Sequence, residues 1–315
     1  PGWEWIFFVN VPVGAAVFAG VLALVATDGR DAHTAGADTA STSRRPRLDL
    51  PGAILATGAT ALLILGVTRS GDDDWSEMRV WLPLAGAAVA YALFALVQHR
   101  TREPLVPLGL LTRRPMVAGA FTMLVATALL VSCFFLGSMY LQHTVGLSAF
   151  RTGLVFLPVA VAVTVGAHVG GRLVGAVGPR WVAVGAMAVA AVGYGLLSRV
   201  PANGEVMDVL PGLVVAAVGI GPAFVAATTT AMAHVCPTQA GVTSGVVNTF
   251  HELGAALGVA LASATAAASL GPAVTADGYE DAFLGGVLIA LAAAAVTLGL
   301  APRGRLPEGS ARHVH

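Results

Sequence analysis

The apolar residues of this chain come in blocks too long for the core of a water-soluble domain. Nine such blocks, each of about 18 to 27 residues, lie at roughly 5–26, 50–68, 80–97, 116–141, 153–174, 181–198, 208–232, 241–268 and 282–300. A helix needs about 20 apolar residues to cross a hydrocarbon core of roughly 30 Å. The blocks do not alternate polar with apolar, and in lipid only helices or closed barrels satisfy every backbone group. The expected fold is therefore all-α: a polytopic membrane protein with about nine transmembrane helices. Composition agrees, with 56% hydrophobic and only 11% charged residues, against about 25% charged in an ordinary soluble domain.

Orientation follows from the arginines, because short loops rich in positive charge stay in the cytoplasm. All 17 basic residues are Arg. Taking alternate loops, one set holds Arg30, Arg44, Arg45, Arg47, Arg100, Arg102, Arg113, Arg114, Arg172, Arg180, Arg303, Arg305 and Arg312. The other set holds only Arg69, Arg79, Arg151 and Arg199. The first set is expected to be cytoplasmic, which puts Asp72, Asp73 and Asp74 outside and the C-terminus inside a multi-pass protein of the plasma membrane. Trp3, Trp5, Trp75, Trp81 and Trp181 fall near span ends, where amphipathic rings favour the interface.

The first span then runs inward from outside, and the spans number nine in all, an odd count. The chain opens next to an apolar block without an initiator Met or a basic leader. It is expected to be a piece of a longer protein, with an odd number of helices upstream. Segment 28–49 reads as a disordered cytoplasmic linker. The net charge is zero, so no nucleic-acid partner is expected. Cys133 lies within a block and Cys236 in a loop, a spacing that offers no disulfide framework. Glycines recur four apart at Gly166/Gly170, Gly241/Gly245 and Gly254/Gly258, the spacing that lets helix backbones approach closely.

Three stretches carry a family likeness. The opening Gly2-Trp3-Glu4-Trp5-Ile6-Phe7-Phe8-Val9-Asn10-Val11-Pro12-Val13-Gly14 resembles the start of helix six in the 14-helix drug:proton antiporters of the major facilitator superfamily, with Glu4 where an Arg is usual. Gly171-Arg172-Leu173-Val174-Gly175-Ala176-Val177-Gly178-Pro179-Arg180 resembles the weaker, second copy of the family's cytoplasmic loop motif. Gly171, Gly178 and Arg180 match; Gly175 stands where an Asp is usual and Ala176 where an Arg is usual. From Pro211 to Leu261, the residues Gly212, Gly219, Gly221, Pro237, Gly241, Ser244, Gly245, Asn248, Thr249, Leu253, Gly254 and Gly258 are similar to the helix 12–13 pattern, with His251-Glu252 where Arg-Gln is usual. The resemblance implies a domain plan: helix six at 1–27, the linker at 28–49, two extra helices at 50–98 and a cytoplasmic loop at 99–115. A six-helix C-terminal bundle at 116–300 and a cytoplasmic tail at 301–315 complete it.

Few polar groups lie deep in the blocks, and an ionisable residue there costs roughly 2.5–3.5 kcal/mol on insertion scales. Glu252 is eleven residues past Gly241, about 16 Å along a helix and so near the midplane. Asn248, Thr249, His251 and Glu252 make one polar patch. Either it faces a central cavity and handles a proton or cationic substrate, or His251 and Glu252 satisfy each other in a packed interface. His168 reads as a packed histidine or a pathway residue. Gln142 and His143, after Tyr140, read as an interfacial cap or an exit mouth. Thr228, Thr229 and Thr230 line a pathway or bond their own helix.

Enzyme readings fail on spacing. His251-Glu252 opens a zinc-protease pattern, but Ala255 stands at the second His position. Neither a metal nor a cofactor is expected. The expected function is part of a proton-coupled secondary exporter of drugs or antibiotics, as the resemblance implies, working by alternating access. Its partners would be a small hydrophobic or cationic drug-like substrate, protons and the lipid bilayer. The alternative is a non-transporting, truncated membrane fragment of such an exporter.

Overall fold

A computed structural model describes residues 5–31, 49–72, 76–101, 104, 106–201, 204–233, 235–269 and 276–302. Its contacts divide the chain into two units, Pro1–Arg47 and Leu48–His315. The first unit contains helix α1, Trp5–Asp31. Within α1 the apolar stretch with described side chains is Asn10–Leu22.

The second unit holds α2 (Leu50–Asp72), α3 (Met78–Arg100), the single turn α4 (Leu108–Leu111), α5 (Arg114–Met139) and α6 (Ala149–Val177). It continues with α7 (Pro179–Leu197), α8 (Val206–Ala231), α9 (Ala240–Ser269) and α10 (Ala276–Leu300). Among the described residues, eight helices are long and apolar enough to cross a membrane. Each lies on one of the apolar blocks from the second onward, displaced by a few residues where capping decides the end. Ser148 caps α6, its hydroxyl accepting from the Arg151 N–H, so that helix starts before its apolar block. Gly178 ends it at φ 90°, a left-handed conformation that favours glycine. Pro179 then begins α7 at once, where its missing N–H costs nothing. Of the expected linker 28–49, residues 32–48 lie outside the described residues, as do Asp73, Asp74, Trp75 and the tail from 303.

Lipid tails are as apolar as leucine, so helices in a membrane associate through close packing and interhelical hydrogen bonds. The second unit shows both. α8 is central to one side, packing on α5, α6 and α7; α5 also packs on α9, and α10 closes against α7. Glycines make these approaches possible. A Cβ on Gly193 of α7 or Gly219 of α8 would come within 3.0 Å of the facing backbone, at Ala216 and Ala190 respectively. Tyr194 of α7 is fully buried and donates to the Leu129 carbonyl of α5. Its ring meets Phe283 of α10 edge to face at 6.1 Å. At the other end of α5 the helix widens into a π-helical turn, Tyr140–Thr144. The Tyr140 hydroxyl donates to the Pro201 carbonyl at 2.6 Å.

Helices α2 and α3 form a hairpin, and α2 lies against α9. The Asp49 carboxylate accepts from the Gly52 N–H at 2.9 Å and from Gln98 Nε2 at 2.6 Å. Gln98 is buried and its Oε1 accepts from the Val106 N–H at 3.2 Å. One side-chain chain thus ties the start of α2, the end of α3 and the segment beyond. Thr60 and Tyr91 hydroxyls meet at 2.9 Å midway along the hairpin.

Candidate substrate pathway

Helix α9 has two differently used faces. On one, Gly254 and Gly258 sit so close to α5 that an added Cβ would come within 3.0 Å of the backbone of Leu124 and Ala128. Ser132 of α5 donates to the Gly258 carbonyl at 2.8 Å across this contact. On the other, Gly241, Ser244, Gly245, Asn248, Glu252 and Val259 are all exposed. They recur at intervals of three, four and seven residues, which is one stripe along a helix. Around Gly241 and Gly245 an added Cβ would meet nothing within 4 Å.

Glu252 is in the middle of this open stripe. It lies twelve residues after the start of α9 and seventeen before its end, about 18 Å and 26 Å of helix. Its side chain is 62% exposed and His251's is 41% exposed, with His251 Nδ1 at 3.3 Å from Glu252 Oε1. The pair therefore does meet, as the packed reading required, but on an open face. The His251 ring also packs on Phe224 of α8, centroids 5.9 Å apart. Asn248 is exposed one turn before Glu252. Thr249 is exposed as well, but its hydroxyl donates to the Gly245 carbonyl at 2.9 Å. That hydroxyl proton is committed to the helix; its oxygen still has acceptor capacity.

The other candidates separate on the same grounds. His168 is exposed on α6, so the packed-histidine reading is corrected: the Gly166 and Gly170 side of the helix takes the close contact with α8, near Val218 and Pro222, and His168 lies off that side. Thr228, Thr229 and Thr230 each bond a carbonyl four residues back, at 2.9, 2.7 and 2.6 Å. Gln142 Nε2 donates to Ser138 Oγ at 2.6 Å, and His143 beside it is exposed. In the loop motif Gly171 and Arg172 are exposed, Gly178 makes the turn, and Arg180 Nη2 donates to the Leu298 carbonyl of α10 at 2.5 Å.

Several groups that shape this region carry no local sequence signal. Phe224 beside His251, Ser132 on Gly258 and Tyr194 on Leu129 are pairings between residues 27 to 126 positions apart. A hydroxyl within an apolar block was the one available hint. No group of three or more potential metal ligands occurs among the described residues.

Residues 1–259 match the profile of the Major Facilitator Superfamily. The chain is 35% identical over 261 residues to a lincomycin resistance protein of Streptomyces lincolnensis, covering 82% of this chain and 51% of that protein. It is 34% identical over 304 residues to the cephamycin export protein CmcT of Amycolatopsis lactamdurans, covering 94% of this chain and 60% of the relative. It is 30% identical over 312 residues to a tetracenomycin C resistance and export protein of Streptomyces glaucescens, covering 97% and 55%. The chain thus spans about half to three-fifths of the length of the curated relatives it matches. With eight apolar helices of spanning length among its described residues, this multi-pass membrane protein belongs to the Major Facilitator Superfamily.

Proposed function

We propose that residues 1–315 form part of a proton-coupled secondary exporter of drugs or antibiotics in the plasma membrane, with the open stripe of α9 facing its transport pathway. The observation that carries this reading is Glu252: an exposed carboxylate midway along an apolar spanning helix, in a chain whose relatives are named for antibiotic export and resistance. A polar group at that depth is expensive to expose to lipid. It is tolerable where the face lines a water-filled cavity between two bundles.

In this account the substrate is a small hydrophobic or cationic molecule that enters between α5–α10 and a second bundle. The two rock about the midplane site. Glu252 takes a proton when the site faces one side and releases it at the other, and its charge balances a cationic substrate in between. His251, 3.3 Å away, accepts or returns that proton, and Asn248 supplies neutral hydrogen bonds one turn along. Thr249 takes part only as an acceptor. His168 is a second pathway group on α6. Helix α1 corresponds to helix six of a 14-helix plan, α2 and α3 to the extra pair, and α5–α10 to the C-terminal bundle. Gly171, Arg172, Gly178 and Arg180 form the cytoplasmic turn, and the C-terminus is cytoplasmic.

Two experiments test this. Impermeant thiol reagents on intact cells should miss Cys236, which is exposed in a loop on the proposed inner side, and should reach an Asp73→Cys variant. The opposite pattern overturns the orientation. Residues 1–315 expressed alone in an efflux-deficient host should leave drug accumulation unchanged, because alternating access takes two bundles. Energy-dependent efflux by these residues alone contradicts the two-bundle account, unless a second copy replaces the missing bundle.

A further inference from the structure

His251 and Glu252 are neighbours in sequence on α9, and neighbours on a helix point about 100° apart. Side chains at i and i+1 do not face each other, so the 3.3 Å approach of His251 Nδ1 to Glu252 Oε1 requires the imidazole to lie over towards the carboxylate. Both side chains are exposed, at 41% and 62%. An exposed pair hardly holds its own geometry, because freezing two side chains offsets the attraction between them. A contact from outside the pair is needed to set it.

That contact comes from α8. Helix α9 packs chiefly on α5 and α2 and only slightly on α8, yet Phe224 of α8 reaches His251, ring centroids 5.9 Å apart and planes tilted by 45°. Phe224 is itself partly buried. It packs against a cluster of buried side chains that includes Met123 of α5, Ala227 of α8 and Val247 of α9, and against the larger core of α5, α7, α8 and α10 side chains. Close packing leaves such a ring little freedom. Val247 lies one turn before His251 on the same face of α9, so one anchored ring meets both. Aromatic rings pair favourably at centroid separations of about 4.5–7 Å, and a cation within about 6 Å of a ring face is attracted to it. The contact therefore serves the imidazole with one proton or two.

We infer that Phe224 is the positioning residue of the His251–Glu252 pair: it holds the imidazole with Nδ1 turned to the carboxylate and Nε2 left open. An ionised carboxylate only accepts, so the 3.3 Å contact takes the tautomer with its hydrogen on Nδ1. The hydrogen bond at one ring nitrogen decides what the other can do. Nε2 has no partner among the described residues. A proton from water on the open side adds to Nε2, the Nδ1 hydrogen passes to Glu252, and the ring is left neutral with its hydrogen on Nε2. Exchange with water restores the starting form. This relay rests on the proposed function; the positioning by Phe224 does not.

The test reads the tautomer directly. The full chain, with 15N-labelled histidine and 13C-labelled phenylalanine rings, is placed in lipid bilayers at about pH 9, where imidazole is neutral. His251 signals are identified by their loss in His251→Gln, and Phe224 signals by their loss in Phe224→Leu. In the parent, His251 should be mainly the Nδ1–H form, and its ring should show a dipolar contact with the Phe224 ring. Phe224→Leu should lower the ratio of Nδ1–H to Nε2–H by roughly two- to tenfold, the worth of one aromatic contact. Phe224→Tyr, which keeps the ring, should restore it. A ratio unchanged by Phe224→Leu overturns the inference, and so does a parent without the ring contact or without an excess of the Nδ1–H form. If Phe224→Leu shifts the ratio while Glu252→Gln leaves proton flux by the full-length protein at the parent level, the positioning stands and the proposed function falls. An unshifted ratio together with a loss of flux in Glu252→Gln removes only the role of Phe224.

Discussion

Two glycine pairs on helix α9, thirteen residues apart, have the same spacing and opposite surroundings. Gly254 and Gly258 are pressed against the α5 backbone; Gly241 and Gly245 have open space where a side chain would go. The close pair does what small residues do throughout the second unit, bringing backbones near enough for packing and a hydrogen bond across the interface. The open pair belongs to a stripe with Ser244, Asn248 and Glu252, and a Cβ on either glycine would meet nothing within 4 Å. A small-xxx-small pattern therefore permits a close approach without showing that one occurs. On α9 the unfilled half also carries Ser244, Asn248 and Glu252, the coincidence on which the proposed pathway rests.

The contrast can be broken by putting side chains into both pairs. Gly258→Leu should have the largest effect, because its Cβ would press on the carbonyl of Ala128 and relief requires moving backbone. Overpacking of this kind costs about 1–3 kcal/mol. The expected result is a clear drop in thermal unfolding temperature in detergent and loss of folded yield. Normal stability would mean that α5 and α9 are not in close contact.

Tyr194→Phe should come next. It removes the hydroxyl that donates to Leu129 while keeping the ring against Phe283. Interhelical hydrogen bonds in membranes are worth about 0.6 kcal/mol, rarely above 1.7, so denaturation should show a loss in that range. A loss of several kcal/mol would assign the tyrosine a larger role than one bond.

Gly245→Leu should change stability least, by less than about 0.5 kcal/mol, as measured on the same unfolding scale as Gly258→Leu. If the proposed function holds, it should nevertheless cut drug efflux by the full-length protein, because the added side chain enters the proposed pathway. Destabilisation comparable with Gly258→Leu would show that the open stripe is covered by protein and erase the distinction between the two faces.

The helices themselves were legible in the sequence because a membrane imposes their length. Blocks near 20 residues can be read one at a time, and the cap at Ser148 and the stop at Gly178 shift the ends by only a few positions. Which helix faces which was not legible. Gly166/Gly170 and Gly254/Gly258 pack closely, Gly241/Gly245 does not, and nothing in the spacing distinguishes them. His168 was expected to be packed because its neighbours are apolar. On a helix those neighbours in sequence point elsewhere, and the histidine is exposed. The polar patch of α9 was visible as four residues, but their roles were not. Thr249 gives its proton to Gly245, His251 leans on Phe224 of another helix, and of the four Asn248 and Glu252 lie on the open stripe.

The central claim is that this stripe carries the coupling proton through Glu252. The direct measurement is proton movement by the intact exporter in liposomes, with a pH-sensitive dye inside and an imposed substrate gradient, comparing the parent with Glu252→Gln. The substitution keeps size and hydrogen bonding and removes the titratable group. The account predicts that substrate-driven proton flux falls at least tenfold across pH 6 to 8, an effect of about 1.4 kcal/mol or more, with the amount of folded protein unchanged. Proton flux equal to the parent's across that range would contradict it and make Glu252 a structural polar group.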